Sequence, residues 1–135
     1  MKTSIIKAKF KRNSQELKHT FLWEIAPQDL KLKVKDKIDI DEEPLIIFDD
    51  KTDNKFWCLT NKRIFISDKF DYIYINDLRK VDILDIKKNP NNKINSIELV
   101  LYSDLEISKI IVEKKSWHII YNILKFIIEN YKSYK

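Results

Sequence analysis

The 135-residue sequence contains no glycine, and its only cysteine is Cys58. The absence of glycine excludes the glycine-rich phosphate loops of nucleotide-binding proteins, in which the backbone must approach the phosphate closely. It also means that turns must be built from Asn, Asp, Ser and Pro. A single cysteine cannot form an intrachain disulfide. Because Cys58 lies in the apolar run Phe56-Trp57-Cys58-Leu59, we expect its thiol to pack as a small hydrophobic group.

Long apolar runs are also missing, since the longest uninterrupted ones have three or four residues. A membrane-spanning helix needs about 20 such residues, and the first residues contain too few apolar side chains for a signal peptide. We therefore expect a cytoplasmic protein. The length predicts one domain over residues 1–135, with its core over about 30–131 and enough buried surface to need no disulfide.

The charges are segregated along the N-terminal part of the chain. Residues 1–35 carry nine Lys/Arg and three Asp/Glu, whereas residues 36–54 carry two Lys and eight Asp/Glu. A nucleic-acid-binding protein usually has a more basic domain or a set of stacking aromatic side chains, so the pattern does not favour nucleic acid as the partner. The acidic segment is suited to a basic protein surface.

A tight β-hairpin is the clearest structural signal in the sequence. Two apolar runs, ending at Leu59 and beginning at Ile64, flank the connection Asn61-Lys62, and Asn tolerates the backbone angles of a two-residue turn. Other alternating or short apolar runs predict further strands. These runs are 31–40, 45–48, 72–75, 81–86, 97–101 and 105–112.

Two helices are predicted at the ends of the chain. Residues 14–26 place Leu17, Phe21 and Ile25 on one face, and Pro27 ends this helix. Residues 117–131 form an amphipathic helix with one polar stripe. The stripe consists of His118, Asn122, Lys125, Glu129 and Lys132.

One apolar face of the C-terminal helix needs a cover. Three side chains lie beyond the part of the helix that the end of one barrel would bury: Ile119, Ile123 and Phe126. Large apolar side chains rarely remain exposed to solvent as a contiguous patch. The N-terminal helix or another chain could cover them. We favour the N-terminal helix because its apolar stripe otherwise has nowhere to be buried, and the oligomeric state stays open.

Short motifs resemble those of bacterial pleckstrin-homology-like (PH-like) domains. Such domains often carry a Leu-Thr-x-x-Arg hairpin, then an Ile-x-Leu/Asp-Leu segment, and a helix that opens near a Trp. The matching residues here are Leu59-Thr60-Asn61-Lys62-Arg63, Ile75-Asn76-Asp77-Leu78 and Ser116-Trp117. The resemblance covers about residues 45–131. It implies an α+β fold: a PH-like antiparallel β-barrel, or two packed sheets, of about seven strands with a C-terminal capping helix, here with an extra N-terminal helix.

Catalytic and metal-binding patterns are not found in the sequence. The two histidines, His19 and His118, fall on polar faces of predicted helices, and no nucleophile with a neighbouring base is apparent. The acidic run from Asp36 to Glu43 lacks the spacing and the glycine of a calcium loop. We therefore expect a non-enzymatic protein with no cofactor and no metal.

The resemblance implies a binding module, and we expect its partner to be a protein. The module would be an adaptor or an inhibitor, for example an immunity protein that covers the active site of a toxin. The alternative partner is an anionic lipid headgroup bound by basic residues, although acidic side chains in the same loop would repel phosphate. Arg63 could instead be structural, with its guanidinium fixing the turn. The candidate partner-binding residues are Ile119, Ile123, Phe126, Asp49, Asp50, Lys62 and Arg63.

Overall fold

The computed structural model describes residues 2–12, 17–49, 56–66, 71–83, 96–104, 106–113 and 117–130. In these ranges the chain forms three α-helices and eight strands. The helices are α1 (Thr3–Lys11), α2 (Gln28–Lys31) and α3 (Trp117–Asn130). The strands are β1 (Thr20–Leu22), β2 (Pro44–Asp49), β3 (Phe56–Thr60), β4 (Arg63–Ile66), β5 (Asp71–Tyr74), β6 (Leu78–Ile83), β7 (Ser96–Ser103) and β8 (Ile107–Glu113).

The first sheet is antiparallel, with the strand order β1-β2-β3-β4-β5. The predicted hairpin is confirmed, because β3 and β4 pair across the Asn61-Lys62 connection with Leu59 opposite Ile64. Asn61 also fixes the hairpin to the start of β2. Its side-chain oxygen accepts a hydrogen bond from the Glu43 backbone N–H at 2.8 Å, and its own N–H donates to the Glu43 carbonyl at 3.0 Å.

The second sheet contains β6, β7 and β8 in that order, and it packs against the first. Trp57 joins the two sheets, since its indole N–H donates to the carbonyl of Ile111 at 2.8 Å. The predicted α+β architecture of two packed sheets with a helix at each end is confirmed, although the described strands do not close into one barrel. The part of the 81–86 strand beyond Ile83 lies outside the described residues.

The N-terminal helix is present, but its predicted position at 14–26 is wrong. The helix α1 spans Thr3–Lys11 instead, and the chain at Thr20–Leu22 forms β1, which pairs with β2. The four-residue spacing that suggested a helix is overridden by this pairing, which places Phe21 opposite Ile47. Residues 13–16 lie outside the described ranges.

The predicted strand at 31–40 is also wrong. The chain forms α2 and then a 3₁₀ turn at Lys35–Lys37. Leu30 and Val34 are buried against the outer face of the first sheet, whereas Leu32 between them is exposed. Burial therefore follows the four-residue spacing of a helical turn and not the period of two on which the strand was predicted.

The C-terminal helix is confirmed up to Asn130, and the described members of its polar stripe are exposed. Its opposite face lies in the core. Ile119 and Ile123 are buried in one cluster with Ile6 and Phe10 of α1, and Lys9 lies 4.5 Å from the ring centroid of Phe126. The cover is thus intramolecular, as predicted, but the helix that provides it is α1 and not a helix at residues 14–26. No helix in the described ranges is long and apolar enough to cross a membrane.

Candidate partner-binding surface

Thr60 organises the hairpin turn between β3 and β4. Its buried hydroxyl accepts hydrogen bonds from the backbone N–H of Lys62 at 3.1 Å and of Arg63 at 3.0 Å. The same hydroxyl donates to Oε2 of Glu42 at 2.5 Å. A threonine at this position therefore stabilises the turn and links it to a carboxylate from the chain that precedes β2.

Glu42 forms a buried ion pair with Arg63. The guanidinium donates from Nε to Oε2 and from Nη2 to Oε1, both at 2.9 Å. Nη2 also donates to the carbonyl of Lys37 at 3.0 Å. The Glu42 side chain is 0% exposed, so both partners are held in one geometry by charge-assisted hydrogen bonds.

This environment keeps the pair ionised. Burial alone would raise the pKa of Glu42, but hydrogen bonds from Arg63 and Thr60 outweigh it and hold the pKa below its usual value. The hydrogen bonds to Glu42 raise the pKa of Arg63, against the opposing effect of burial. The charges of both side chains are thus stabilised in the folded state.

The ion pair holds a tight turn at residues 39–42. The Glu42 N–H donates to the Asp39 carbonyl, and the Asp39 N–H donates to Oε1 of Glu42, both at 3.1 Å. Ile40 lies at the tip of this turn and is fully exposed, at 108% of its reference area. The turn therefore presents a branched apolar side chain to solvent on a fixed backbone.

Two tyrosines lie beside the same guanidinium. Tyr72 and Tyr74 of β5 are 41% and 45% exposed, and their ring centroids lie 4.8 and 5.9 Å from the Arg63 guanidinium carbon. The two rings pack edge to face at 5.1 Å. The hydrogen bond with Tyr72 raises the pKa of the Tyr74 hydroxyl. Arg63 thus stabilises both the turn and the tyrosine pair.

We call Ile40, Tyr72 and Tyr74 the Ile40–tyrosine surface. Asp39 and Asp41 flank Ile40 in the sequence and are largely exposed, although Asp39 lies 3.5 Å from Arg63 and Asp41 2.6 Å from the ammonium group of Lys62. Elsewhere the outer face of the first sheet is covered, since Ala26, Leu30 and Val34 pack over β2, β3 and β4 in one cluster. The two tyrosines of β5 stay exposed beyond this cover.

An open groove of about 380 Å³ lies between the β5 edge and the turn that follows β7. Asp104 in this groove is held by Arg79, which donates from Nε and Nη2 to its two carboxylate oxygens at 2.7 and 2.8 Å. The groove is lined by Tyr72, Ile73, Tyr74, Asp77, Ser103, Asp104 and Glu106. Its polar wall is therefore acidic.

The candidate residues of the sequence analysis do not form one surface. Ile119 and Ile123 are core residues, and Phe126 is partly buried beneath Lys9. Asp49 is buried and lies 3.0 Å from the ammonium group of Lys33.

The loop candidates have separate roles. Asp50 lies outside the described residues. Lys62 is paired with Asp41, and Arg63 has the structural role that was its alternative interpretation. Sequence reasoning missed Ile40 and treated Tyr72 and Tyr74 only as strand residues, although their two-residue spacing places them on one face of β5.

The single cysteine is not placed for nucleophilic catalysis. Cys58 is fully buried, and burial raises the pKa of its thiol, which opposes the formation of a nucleophilic thiolate. Among the described residues no group of three His, Cys, Asp or Glu side chains is positioned to hold a metal ion. What the surface offers is contact area and charge.

Comparisons with known proteins give one distant likeness. No family model matches the chain, and no curated protein matches it at a significant level. Among solved structures, the chain is similar to the crystal structure of a pleckstrin homology domain from Shewanella amazonensis SB2B, with 16% sequence identity and a TM-score of 0.45, over 77% of this chain and 86% of that chain.

Proposed function

We propose that this protein is a non-enzymatic binding module whose partner is another protein. The observation that carries the proposal is the exposure of Ile40 on a turn fixed by a buried ion pair, whose guanidinium also lies against two exposed tyrosines. Tyrosine is enriched in protein interfaces, where it combines apolar contact with a hydrogen-bonding group. Arg63 contacts both the turn, through Asp39, and the tyrosine pair, and exposed apolar groups that lie together typically mark interaction sites.

Preorganisation of the turn supports the same function. A flexible loop loses conformational freedom when a partner binds it, and this loss weakens the complex. The turn at 39–42 is already ordered by hydrogen bonds between Asp39 and Glu42 and by the ion pair with Arg63. Ile40 can therefore enter an apolar pocket of a partner with little further ordering.

The charges favour a protein with a basic surface over an anionic lipid. Three carboxylates, Asp39, Asp41 and Glu42, share two cations around Ile40, and the resulting net negative charge repels a phosphate group and attracts a Lys or Arg side chain. Lys62 and Arg63, which were the candidate lipid-binding cations, are both engaged in ion pairs with carboxylates. An adaptor and an inhibitor of a basic enzyme are both consistent with this surface.

Affinity capture from the native lysate tests the proposal when single variants are compared. Wild-type protein and Ile25→Asp should recover the same protein, because Ile25 is 73% exposed and follows β1, at the opposite edge of the first sheet from Tyr72 and Tyr74. Ile40→Asp and Tyr74→Ala should lose it. Equal recovery by all four, or recovery by none, contradicts the proposal.

Vesicle sedimentation tests the lipid alternative. Exposed basic residues attract an anionic membrane by about 1 kcal/mol each, and salt screens this attraction. We expect only weak binding to phosphatidylserine vesicles at physiological salt. Tight binding that persists in salt and depends on the headgroup would replace the protein proposal with the lipid one.

A further inference from the structure

The strand β5 is the outer strand of the five-stranded sheet. The N–H of Ile75 donates to the Lys62 carbonyl at 2.9 Å, and Ile73 lies opposite Ile64 of β4. Backbone groups alternate in direction along a strand. The N–H and C=O groups of Tyr72 and Tyr74 therefore point away from β4, toward the side on which no described strand pairs with β5.

The groove next to this edge has room for side chains of a segment that lies along the strand. Its volume of about 380 Å³ is at the lower end of the range of sites that hold small ligands. One wall is the edge of β5, and the other is formed by Asp77 and by the turn after β7. A segment lying in the groove would thus meet backbone hydrogen-bonding groups on one side and carboxylates on the other.

The groove is negatively charged. Arg79 neutralises Asp104, but within the described part of the chain neither Asp77 nor Glu106 forms an ion pair with a basic side chain. Two carboxylates on one wall attract a Lys or Arg side chain and repel a phosphate group or an acidic peptide. The charge therefore selects one kind of occupant.

We infer that the groove binds an extended, basic segment of the protein partner, which adds to the sheet as a strand beside β5. Backbone hydrogen bonds to Tyr72 and Tyr74 supply affinity, and a Lys or Arg side chain directed at Asp77 and Glu106 supplies selectivity. This inference rests on the proposed function, because it names the part of a protein partner that the module recognises. The Ile40–tyrosine surface contacts the folded part of the same partner.

A phage-displayed library of random peptides of about seven residues, a typical strand length, tests the inference on the full chain. The selected sequences should be enriched in Lys or Arg at alternate positions. Selection of no binding peptide, or selection of acidic or proline-rich sequences, overturns the inference.

N-methylation of a selected peptide tests the strand pairing. A methyl group on each amide of one alternating set removes the donors that face β5, so binding should be lost. Methylation of the other set should leave binding within about a factor of two, since those amides face away from β5. Equal effects of the two sets overturn the inference.

Charge variants of the groove test the selectivity. The double variant Asp77→Asn/Glu106→Gln should weaken binding of the selected peptide by about three- to tenfold, as expected for two exposed charge pairs. Glu129→Gln, in the exposed stripe of α3, is the matched control and should have no effect. Unchanged affinity in the double variant overturns the inference.

The variant Ile40→Asp separates this inference from the proposed function. It lies on the turn outside the groove, so it should abolish capture of the partner while leaving peptide affinity unchanged. If Ile40→Asp abolishes capture and no peptide binds, the groove inference is wrong and the proposed function stands. If peptides bind as described but Ile40→Asp has no effect on capture, the Ile40–tyrosine surface is not the partner-binding site and the groove inference stands.

Discussion

Arg63 and Glu42 are joined by two hydrogen bonds of 2.9 Å. The Glu42 side chain is completely buried and also accepts a hydrogen bond from Thr60. The Leu-Thr-x-x-Arg motif thus has a physical explanation in this chain. Thr60 stabilises the hairpin turn, and Arg63 holds the acidic turn that precedes β2. The motif fixes the backbone on which the exposed Ile40 is presented.

Removal of one member of this pair should destabilise the protein strongly. Glu42→Gln leaves the guanidinium of Arg63 with only the more distant and exposed carboxylate of Asp39 as a counter-charge, and breaking a buried ion pair costs about 3–5 kcal/mol. Urea unfolding measures the loss. Lys62→Met, which breaks the exposed pair with Asp41, is the control and should leave the midpoint unchanged. Similar midpoints for Glu42→Gln and the control would show that the buried pair is not important for stability.

Replacement of both members should separate stability from binding. Glu42→Leu/Arg63→Met removes both buried charges, and such replacements are often nearly neutral. We expect this double variant to be more stable than Glu42→Gln. The turn at 39–42 loses its hydrogen bonds to Glu42, so capture of the partner should still fail. Full capture by a stable double variant would mean that preorganisation of the turn is unnecessary.

Stability should depend on pH through Glu42. Its pKa in the folded protein is below the usual value of 4.5, so the folded state binds its proton less readily than the unfolded state. The resulting stabilisation is present above about pH 4.5 and is lost as the pH falls through the lowered pKa. The difference in unfolding free energy between wild type and Glu42→Gln should therefore shrink in acid. If this difference in unfolding free energy is the same at every pH, Glu42 does not stabilise the folded protein as an ionised partner of Arg63.

The packing of α1 over α3 gives a further test. Phe10 is 1% exposed, and Phe10→Ala should cost about 3–5 kcal/mol, as for other buried aromatic side chains. Deletion of residues 1–12, which removes α1 and keeps β1, should expose Ile119 and Ile123, raise the binding of a hydrophobic dye and promote self-association. Ile5→Ala is the control for Phe10→Ala, because Ile5 lies in the same helix but is 38% exposed. Unchanged dye binding after the deletion would mean that α1 does not cover this face.

The strands of the middle and C-terminal parts could be predicted because turn residues and alternating apolar residues agree there. The hairpin at Asn61-Lys62 is the clearest example. The strand in the N-terminal part could not be predicted, since the four-residue spacing of Leu17, Phe21 and Ile25 is compatible with a helix. Long-range pairing of Phe21 with Ile47 decides in favour of a strand.

The candidate surface could not be predicted for a similar reason. In the sequence, Ile40 alternates with Asp39 and Asp41, which is typical of an inward-facing strand residue. The structure turns Ile40 outward because Glu42 pairs with Arg63, which lies far along the chain. No local pattern reports that contact. The exposure of Tyr72 and Tyr74 likewise depends on where the segment that covers the outer face ends.

Site-specific photo-crosslinking tests the central claim most directly. A benzophenone amino acid is introduced at position 40 or, as the control, at position 25, which is also well exposed. The account predicts that irradiation of producing cells joins position 40, and not position 25, to one defined protein. It also predicts that Glu42→Leu/Arg63→Met in the same chain abolishes that product. No product at position 40, or the same product from both positions, would contradict the assignment of this surface as the partner-binding site.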